Sequence, residues 1–238
     1  MKTSFTVARF KGVPIQVDLS LLVLAALLAI EAIHATRNLL AGIVIGIVAA
    51  LLLVASVALH ELGHVAVALH YGCRVRDVTL MLIGGRATLL DMPRKPSREF
   101  WLAIAGPGVS AALWLLSIPL ANLVLLPGRI TGTPTLSGTI LAGILGYFSL
   151  INKSLLFFNL IPAFPMDGGR ILRALLARRF GRLYATWIAS RIGLAAAVIM
   201  GIHGIFRGHW ILVFIAYFIF QSAEAEYRLV RYEESFWR

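Results

Sequence analysis

Long apolar stretches, separated by short polar segments, dominate the pattern of this 238-residue chain. About 20 consecutive apolar residues, wound as a helix, are enough to cross a bilayer. Six such stretches can be drawn along the sequence, and the second carries no charged side chain until its end. Their limits are 19–35, 39–59 with a continuation to 69, 100–126, 138–160, 183–206 and 210–223. The pattern predicts an all-α polytopic membrane protein with six transmembrane helices.

Two segments do not fit a membrane span. Residues 5–17 alternate loosely between apolar and polar side chains, as a strand does. Residues 75–90 are rich in β-branched and apolar side chains but are broken at Gly84 and Gly85, as in a hairpin. We therefore predict short membrane-associated β-strands near the N-terminus and a hairpin after the second helix. No separate soluble domain is visible, so residues 1–238 are expected to form one membrane-embedded domain.

The composition and the placement of charge support this division. The chain is 59% hydrophobic and only 14% charged, with a mean hydropathy of +0.86. Most Lys and Arg residues lie in the N-terminal segment, in the connections after the second and fourth spans, and in the C-terminal tail. The other side of a six-span topology holds only Arg37, Arg129 and Arg207. Because basic residues favour the cytoplasmic side, both termini are expected in the cytoplasm.

The net charge and the cysteine count do not support a nucleic-acid-binding protein or a disulfide-bonded one. The net charge of +11 does not indicate nucleic-acid binding, because no basic stripe with interleaved aromatic residues appears. Cys73 is the single cysteine, so an internal disulfide is excluded and a reducing compartment fits. Glu31, Lys153 and Arg191 lie inside predicted spans, where a charge must face the bundle interior, a water-filled cavity or the interface. The sequence assigns none of the three a partner.

The second span ends in the pattern His-Glu-Leu-Gly-His, which places His60, Glu61 and His64 on one helix. Residues four apart project from nearly the same face, so the two imidazoles can bind one metal ion. Glu61 stands beside them, where a carboxylate can take a proton from a metal-activated water. The alternative is a purely structural histidine pair. Because polar groups are costly to place at membrane depth, the position of the motif at the end of a span favours a metal site over this alternative.

A third metal ligand should lie on the same side of the membrane as the two histidines. The fourth span ends in a segment from Asn159 to Gly169 that contains two prolines, two glycines and Asp167. Asp167 is the only acidic residue between Glu99 and Glu224. Irregular backbone at this depth is tolerated where it is buried in protein or lines an aqueous cavity. Asp167 is therefore a candidate ligand, and its alternative role is to cap the helix that would follow it. Asn159 is a candidate for a functional role in the same segment, and its alternative role is an interhelical hydrogen bond.

These two segments together resemble the site-2 protease family of intramembrane zinc metalloproteases. The family pairs an HExxH helix with a later Asn-x-x-Pro…Asp-Gly segment, and the chain has both. The resemblance implies that His60, His64 and Asp167 bind one Zn²⁺ and that Glu61 is the general acid/base. It also implies that Asn159 positions the substrate or stabilises the oxyanion.

The resemblance extends over nearly the whole chain. The opening around Phe10 is similar to that of a compact, six-span prokaryotic branch, and the Gly106-Pro107 pair in the third span is also shared. Many relatives have an asparagine shortly after this pair, where the present chain has Gly108-Val109-Ser110. No CBS or PDZ domain fits in the few residues after the last span. The family implies a prokaryotic cell membrane as the location, with the active site toward the cytoplasm.

The resulting hypothesis is an intramembrane zinc endopeptidase that cuts a transmembrane segment of a membrane-protein substrate. A substrate helix must unwind before its carbonyl groups can be attacked, and Gly84 and Gly85 of the hairpin are candidates to bind the unwound strand. A membrane metal-ion transporter with the same His/Asp cluster is the alternative, and a catalytically silent scaffold is a third possibility. Substrate identity, scission site and oligomeric state stay open.

Overall fold

A computed structural model describes residues 4–82, 84–91, 93, 95–133 and 135–235. Seven helices and four strands follow one another along this part of the chain. In order they are β1 (Ser4–Phe10), β2 (Val13–Asp18), α1 (Ser20–Thr36), α2 (Leu39–His70), β3 (Val75–Met81), β4 (Gly84–Leu89), α3 (Pro96–Thr131), α4 (Leu136–Asn159), α5 (Asp167–Phe180), α6 (Arg182–Arg207) and α7 (Trp210–Ser235).

Four of these helices, α2, α3, α4 and α6, are long and apolar enough to cross a bilayer. Helix α1 is apolar but has only 17 residues. Many large apolar side chains on the long helices are exposed, for example Leu40 at 73% and Leu116 at 67%. Such exposure suits lipid contact. The mostly helical membrane fold is thus confirmed, whereas the division into six spans stays a prediction. Helix α5 lies in a segment that was assigned to a connection between spans, where a helix entered only as the capping alternative for Asp167.

The chain divides into two compact units. The first contains Met1–Asp91 and Gly108–Leu156, and the second contains Met92–Pro107 and Phe157–Arg238. The HExxH motif and all four strands belong to the first unit. Asn159, Asp167 and the last three helices belong to the second.

The strands of the first unit form one sheet in the order β1-β2-β3-β4. β1 pairs with β2 and β3 with β4 in antiparallel fashion, while β2 and β3 are parallel, with Ile15 opposite Val78. The predicted strands and hairpin are confirmed, but their union in a single sheet was not expected. Val78 and Leu80 of β3 are buried together with Val13 and with Val65 of α2. This apolar cluster fixes the sheet against the part of α2 that follows the HExxH motif.

Glycines allow α1 and α2 to approach closely. A Cβ atom at Gly42 would overlap Ile33, and one at Gly46 would overlap the backbone of Ala29. A small-xxx-small stripe commonly lets membrane helices meet at short distance. The GxxxG pattern of the second span therefore packs against the preceding helix of the same chain.

Polar side chains connect α4 to its neighbours in the first unit. The buried Asn152 amide donates a hydrogen bond of 3.0 Å to Ser56 Oγ, one turn before His60 on α2. Lys153 Nζ lies 5.7 Å from the centre of the Trp114 ring, which identifies a neighbour for this charge. The interaction is a cation–π contact.

The two other charges inside predicted spans have different surroundings. In the second unit, Arg191 lies 5.9 Å from the Trp187 ring and 6.0 Å from the Tyr227 ring. In the first unit, Glu31 is exposed on α1. The aromatic rings thus supply the partners for Arg191 that the sequence could not assign.

Replacing Gly46 with alanine should destabilise the first unit by about 1–3 kcal/mol, because the added methyl overpacks the α1–α2 contact. Gly143→Ala is the matched control: it also adds a methyl to a helical glycine, but nothing lies within 4 Å of that position. The midpoint of thermal unfolding in detergent, measured for both variants, checks the prediction. Equal midpoints would contradict the close-packing interpretation.

Candidate metal centre

His60 and His64 are buried on one face of α2. Their Nε2 atoms lie 3.3 Å apart, and their rings meet edge to face. Two nitrogens bound to one tetrahedral zinc at about 2.0–2.1 Å lie roughly 3.3–3.4 Å from each other. The two imidazoles therefore already have the separation that a shared zinc ion requires.

The other ring nitrogen of His60 also has a defined neighbour. Its Nδ1 lies 2.9 Å from Ser110 Oγ, and both side chains are buried. Ser110 lies on α3, four residues after Gly106 in the Gly-Pro segment. Sequence reasoning noted this serine only as a departure from the family pattern.

Strand β4 holds the glutamate of the motif. The Ala87 backbone N–H donates a hydrogen bond of 3.1 Å to Glu61 Oε2. A Cβ atom at Gly85 would overlap Glu61 Cγ and would lie 2.9 Å from Val57 Cγ1. The absence of a side chain at Gly85 thus lets the strand reach the carboxylate. At Gly84, by contrast, nothing lies within 4 Å of the Cβ position, and its φ of +128° is one that other residues rarely adopt.

An apolar groove lies beside Glu61 in the first unit. It is lined by side chains of α1, α2 and α4 together with the β3–β4 turn, among them Leu21, Leu53 and Leu155. Gly84 and Val57 also line it, and Val57 is one turn before Glu61 on α2. The groove thus extends to the first residue of β4 and to the turn of α2 before Glu61.

Asn159 and Asp167 lie at the two ends of one loop in the second unit. Asn159 is half-buried at the end of α4, and the buried Asp167 is the first residue of α5. The N-cap position of α5 is Met166, so Asp167 does not occupy the capping position that was its alternative reading. A carboxylate in the first turn is favoured by the helix dipole.

Glycines close this loop tightly. A Cβ atom at Gly168 would overlap the carbonyl oxygens of Leu160 and Ile161, and one at Gly169 would lie 2.7 Å from Ala163 carbonyl carbon. The start of α5 is therefore packed onto the chain that directly follows α4. The Asp-Gly-Gly sequence is needed to fold the segment between Asn159 and Asp167 so compactly.

A buried ion cluster fixes α5 within the second unit. Arg173 is fully buried; its Nε lies 2.6 Å from Glu99 and one terminal nitrogen lies 2.5 Å from Glu226. Its guanidinium also covers the Phe164 ring of the loop at 5.1 Å. Burial, the largest single influence, raises the pKa of Glu226, but the charge and hydrogen bond of Arg173, together with the charges of Arg170 and Arg182, lower it overall. Sequence reasoning missed this cluster, because nothing in the spacing of Glu99, Arg173 and Glu226 links them.

The structure thus describes every residue that the sequence predicted for the site. Within the first unit it brings His60 to His64 and Glu61 to Gly85, while Gly84 stands at the turn without such a contact. Asn159 and Asp167 are described within the second unit. Ser110 and the Ala87 backbone are further functional candidates, which no motif in the sequence indicated.

Most of the chain is similar to known proteins. Residues 48–129 and 132–200 match peptidase family M50. A zinc metalloprotease from Methanocaldococcus jannaschii is 36% identical over 236 residues, covering 99% of this chain and 64% of that protein. A relative from Synechocystis sp. is 36% identical over 199 residues, covering 80% of this chain and 50% of that protein. The chain therefore spans half to two thirds of the length of these curated relatives.

One solved structure is also similar. The site-2 protease from Methanocaldococcus jannaschii superposes with a TM-score of 0.60 at 32% sequence identity. The match covers 94% of this chain and 95% of that one. The likeness therefore extends well beyond the two motif segments.

Proposed function

The chain belongs to peptidase family M50, as its resemblance to site-2 proteases predicted, and we propose that it is an intramembrane zinc endopeptidase. It hydrolyses a peptide bond in or near a transmembrane segment of a membrane-protein substrate. The observation that carries this proposal is the pair of buried imidazole nitrogens at zinc-ligand spacing, directly beside a carboxylate that is held by a strand.

The chain is an integral membrane protein, with four helices long and apolar enough to span a bilayer. In the proposed topology α1 and the apolar first half of α7 supply two further spans. At about 1.5 Å per residue, the 17 residues of α1 cover about 26 Å, close to the 30 Å apolar layer. Six spans place both termini in the cytoplasm, with the metal centre toward that side. All 238 residues then act as one membrane-embedded protease domain.

His60, His64 and Asp167 are the proposed zinc ligands. Two imidazoles and one carboxylate leave a fourth position open, as in catalytic zinc sites. The histidine spacing fits this ion, and the tightly folded Asp-Gly-Gly segment presents a buried carboxylate. Bound zinc would supply a Lewis acid that activates water for attack on a carbonyl carbon.

Glu61 is the proposed general base and acid. Its Oε2 atom accepts a hydrogen bond from Ala87 N–H, which fixes the carboxylate and leaves the second oxygen to handle a proton. That oxygen takes the proton of the attacking water and later gives it to the leaving amine. Asn159 is proposed to donate a hydrogen bond to the developing oxyanion; a donor in that role contributes about 2.7–4 kcal/mol in other enzymes.

Strand β4 is the proposed binding edge for the unwound substrate. Among the strands described, β4 pairs with β3 alone, so no described strand covers its other edge, where Glu61 accepts from Ala87 N–H. N–H groups alternate between the two edges of a strand. Because Ala87 N–H points to Glu61, Gly85 N–H points to the same side. A substrate strand added there would bring its backbone next to Glu61, and the apolar groove would take its side chains.

Glu61→Gln should leave zinc bound and lower cleavage of a model transmembrane substrate by about 10²–10⁴-fold, because the amide cannot accept a proton. Zinc content and cleavage in detergent or vesicles are measured on the same preparations of the parent and the variant. Asn122→Ala is the control, because it changes an exposed polar side chain on α3. It should cleave the substrate as fast as the parent does.

Two outcomes of that experiment would overturn the proposal. A variant that cleaves as fast as the parent would exclude Glu61 as general base. A parent that cleaves nothing but carries metal ions into vesicles, with flux unchanged in Glu61→Gln, would favour the transporter alternative. The family match does not favour that alternative.

Gly85→Ala should lower the cleavage rate by roughly 100-fold with zinc still bound. The added methyl group overlaps Glu61 Cγ and so pushes strand β4 away from the Glu61 carboxylate. Gly84→Ala strains the backbone without placing an atom on Glu61, so it should retain more cleavage than Gly85→Ala. Rates and zinc content of the two variants check this order. The reverse order would reject the close contact as the reason for the glycine.

A further inference from the structure

Ser110 is a buried serine whose hydroxyl faces the side of His60 that is turned away from His64. Its Oγ lies 2.9 Å from His60 Nδ1, whereas the Nε2 atoms of the two histidines converge at 3.3 Å. Ser110 itself is 0% exposed. The pair joins α3 to α2 across 50 positions of the chain.

Two other buried serines of the first unit, Ser56 and Ser117, bond within their own helices. Ser56 donates to Leu52 O at 2.8 Å, and Ser117 donates to Leu113 O at 2.6 Å. Those bonds run to the carbonyl four residues earlier in the same helix, which is the usual way a helical serine satisfies its hydroxyl. At Ser110 the hydroxyl instead lies within hydrogen-bond distance of a histidine ring on another helix.

The chemistry of the imidazole gives this contact a direction. A ring nitrogen that binds a metal must present its lone pair, so a neutral His60 that ligates through Nε2 carries its proton on Nδ1. The Nδ1–H group then donates to Ser110 Oγ. In the other tautomer the proton would stand on Nε2, in the place where the metal binds.

We propose that Ser110 is a positioning residue that fixes the ring orientation and the tautomer of His60 for zinc binding. This inference rests on the proposed function, since it takes His60 as a zinc ligand. Without the hydroxyl, the buried Nδ1–H would lose this acceptor, and that loss favours rotation of the ring or transfer of the proton to Nε2. Either change competes with the metal.

The test is the zinc affinity of Ser110→Ala, measured by competition with a chromophoric chelator in detergent. Outer partners of metal-binding histidines typically contribute 10–100-fold to affinity, so we expect a loss of about that size. Ser117→Ala is the matched control, because it removes another buried hydroxyl from α3 without touching His60. It should bind zinc as the parent does. Ser110→Thr, which restores the hydroxyl, should recover most of the affinity.

A second measurement separates positioning from a general loss of packing. Co²⁺-substituted parent and Ser117→Ala should give the same visible absorption spectrum, while that of Ser110→Ala should be altered. Equal affinities and equal spectra for Ser110→Ala and Ser117→Ala would overturn the inference. A parent that binds neither Zn²⁺ nor Co²⁺ would instead overturn the proposed function on which it rests.

Discussion

The fixed separation of two imidazole nitrogens on one membrane helix is the constraint on which the rest of the molecule depends. His60 and His64 are buried at the end of a long apolar helix, where polar groups are costly unless each has a partner. Their spacing follows from the helix, but the direction of each ring does not. For His60, the buried hydroxyl of Ser110 lies within hydrogen-bond distance of the ring and restricts its orientation. The orientation of the His60 ring therefore depends on a side chain of the neighbouring helix α3.

The sheet fixes the Glu61 carboxylate, as Ser110 fixes the His60 ring. β3 is packed against α2 through the apolar cluster of Val65, Val78 and Leu80, and its partner strand β4 lies with its backbone against Glu61. One missing side chain, at Gly85, makes the approach possible. The same strand leaves an edge open beside the carboxylate. In the proposed mechanism, holding the base and binding the unwound substrate are therefore tasks of a single strand.

The second unit holds its carboxylate by a different means. Asp167 begins a helix that is packed by glycines onto the preceding loop and anchored by Arg173 to Glu99 and Glu226. Removing one partner of a buried ion pair commonly costs about 3–5 kcal/mol, so this cluster strongly favours one placement of α5. The position of Asp167 thus depends on charges far from it in sequence.

Local patterns were enough to predict much of this protein. Apolar runs predicted the long helices, the broken run at Gly84 and Gly85 predicted the hairpin, and the His60–His64 spacing predicted convergent imidazoles. What could not be predicted depends on contacts between distant segments. Periodicity carries no signal that β2 pairs with β3, that Ser110 reaches His60, or that Arg173 joins two glutamates. Helix α5 was not among the predicted spans, because its many arginines are typical of a cytoplasmic connection.

X-ray absorption at the zinc edge, recorded on the purified protein and on Asp167→Ala, tests the proposed ligand set directly. The parent should bind one zinc per chain, with two imidazole nitrogens at about 2.0–2.1 Å and a carboxylate oxygen at about 2.0–2.2 Å. In Asp167→Ala the carboxylate ligand should be lost, together with most of the bound zinc. A parent without zinc, or a coordination shell that is unchanged in the variant, would rule out this ligand set.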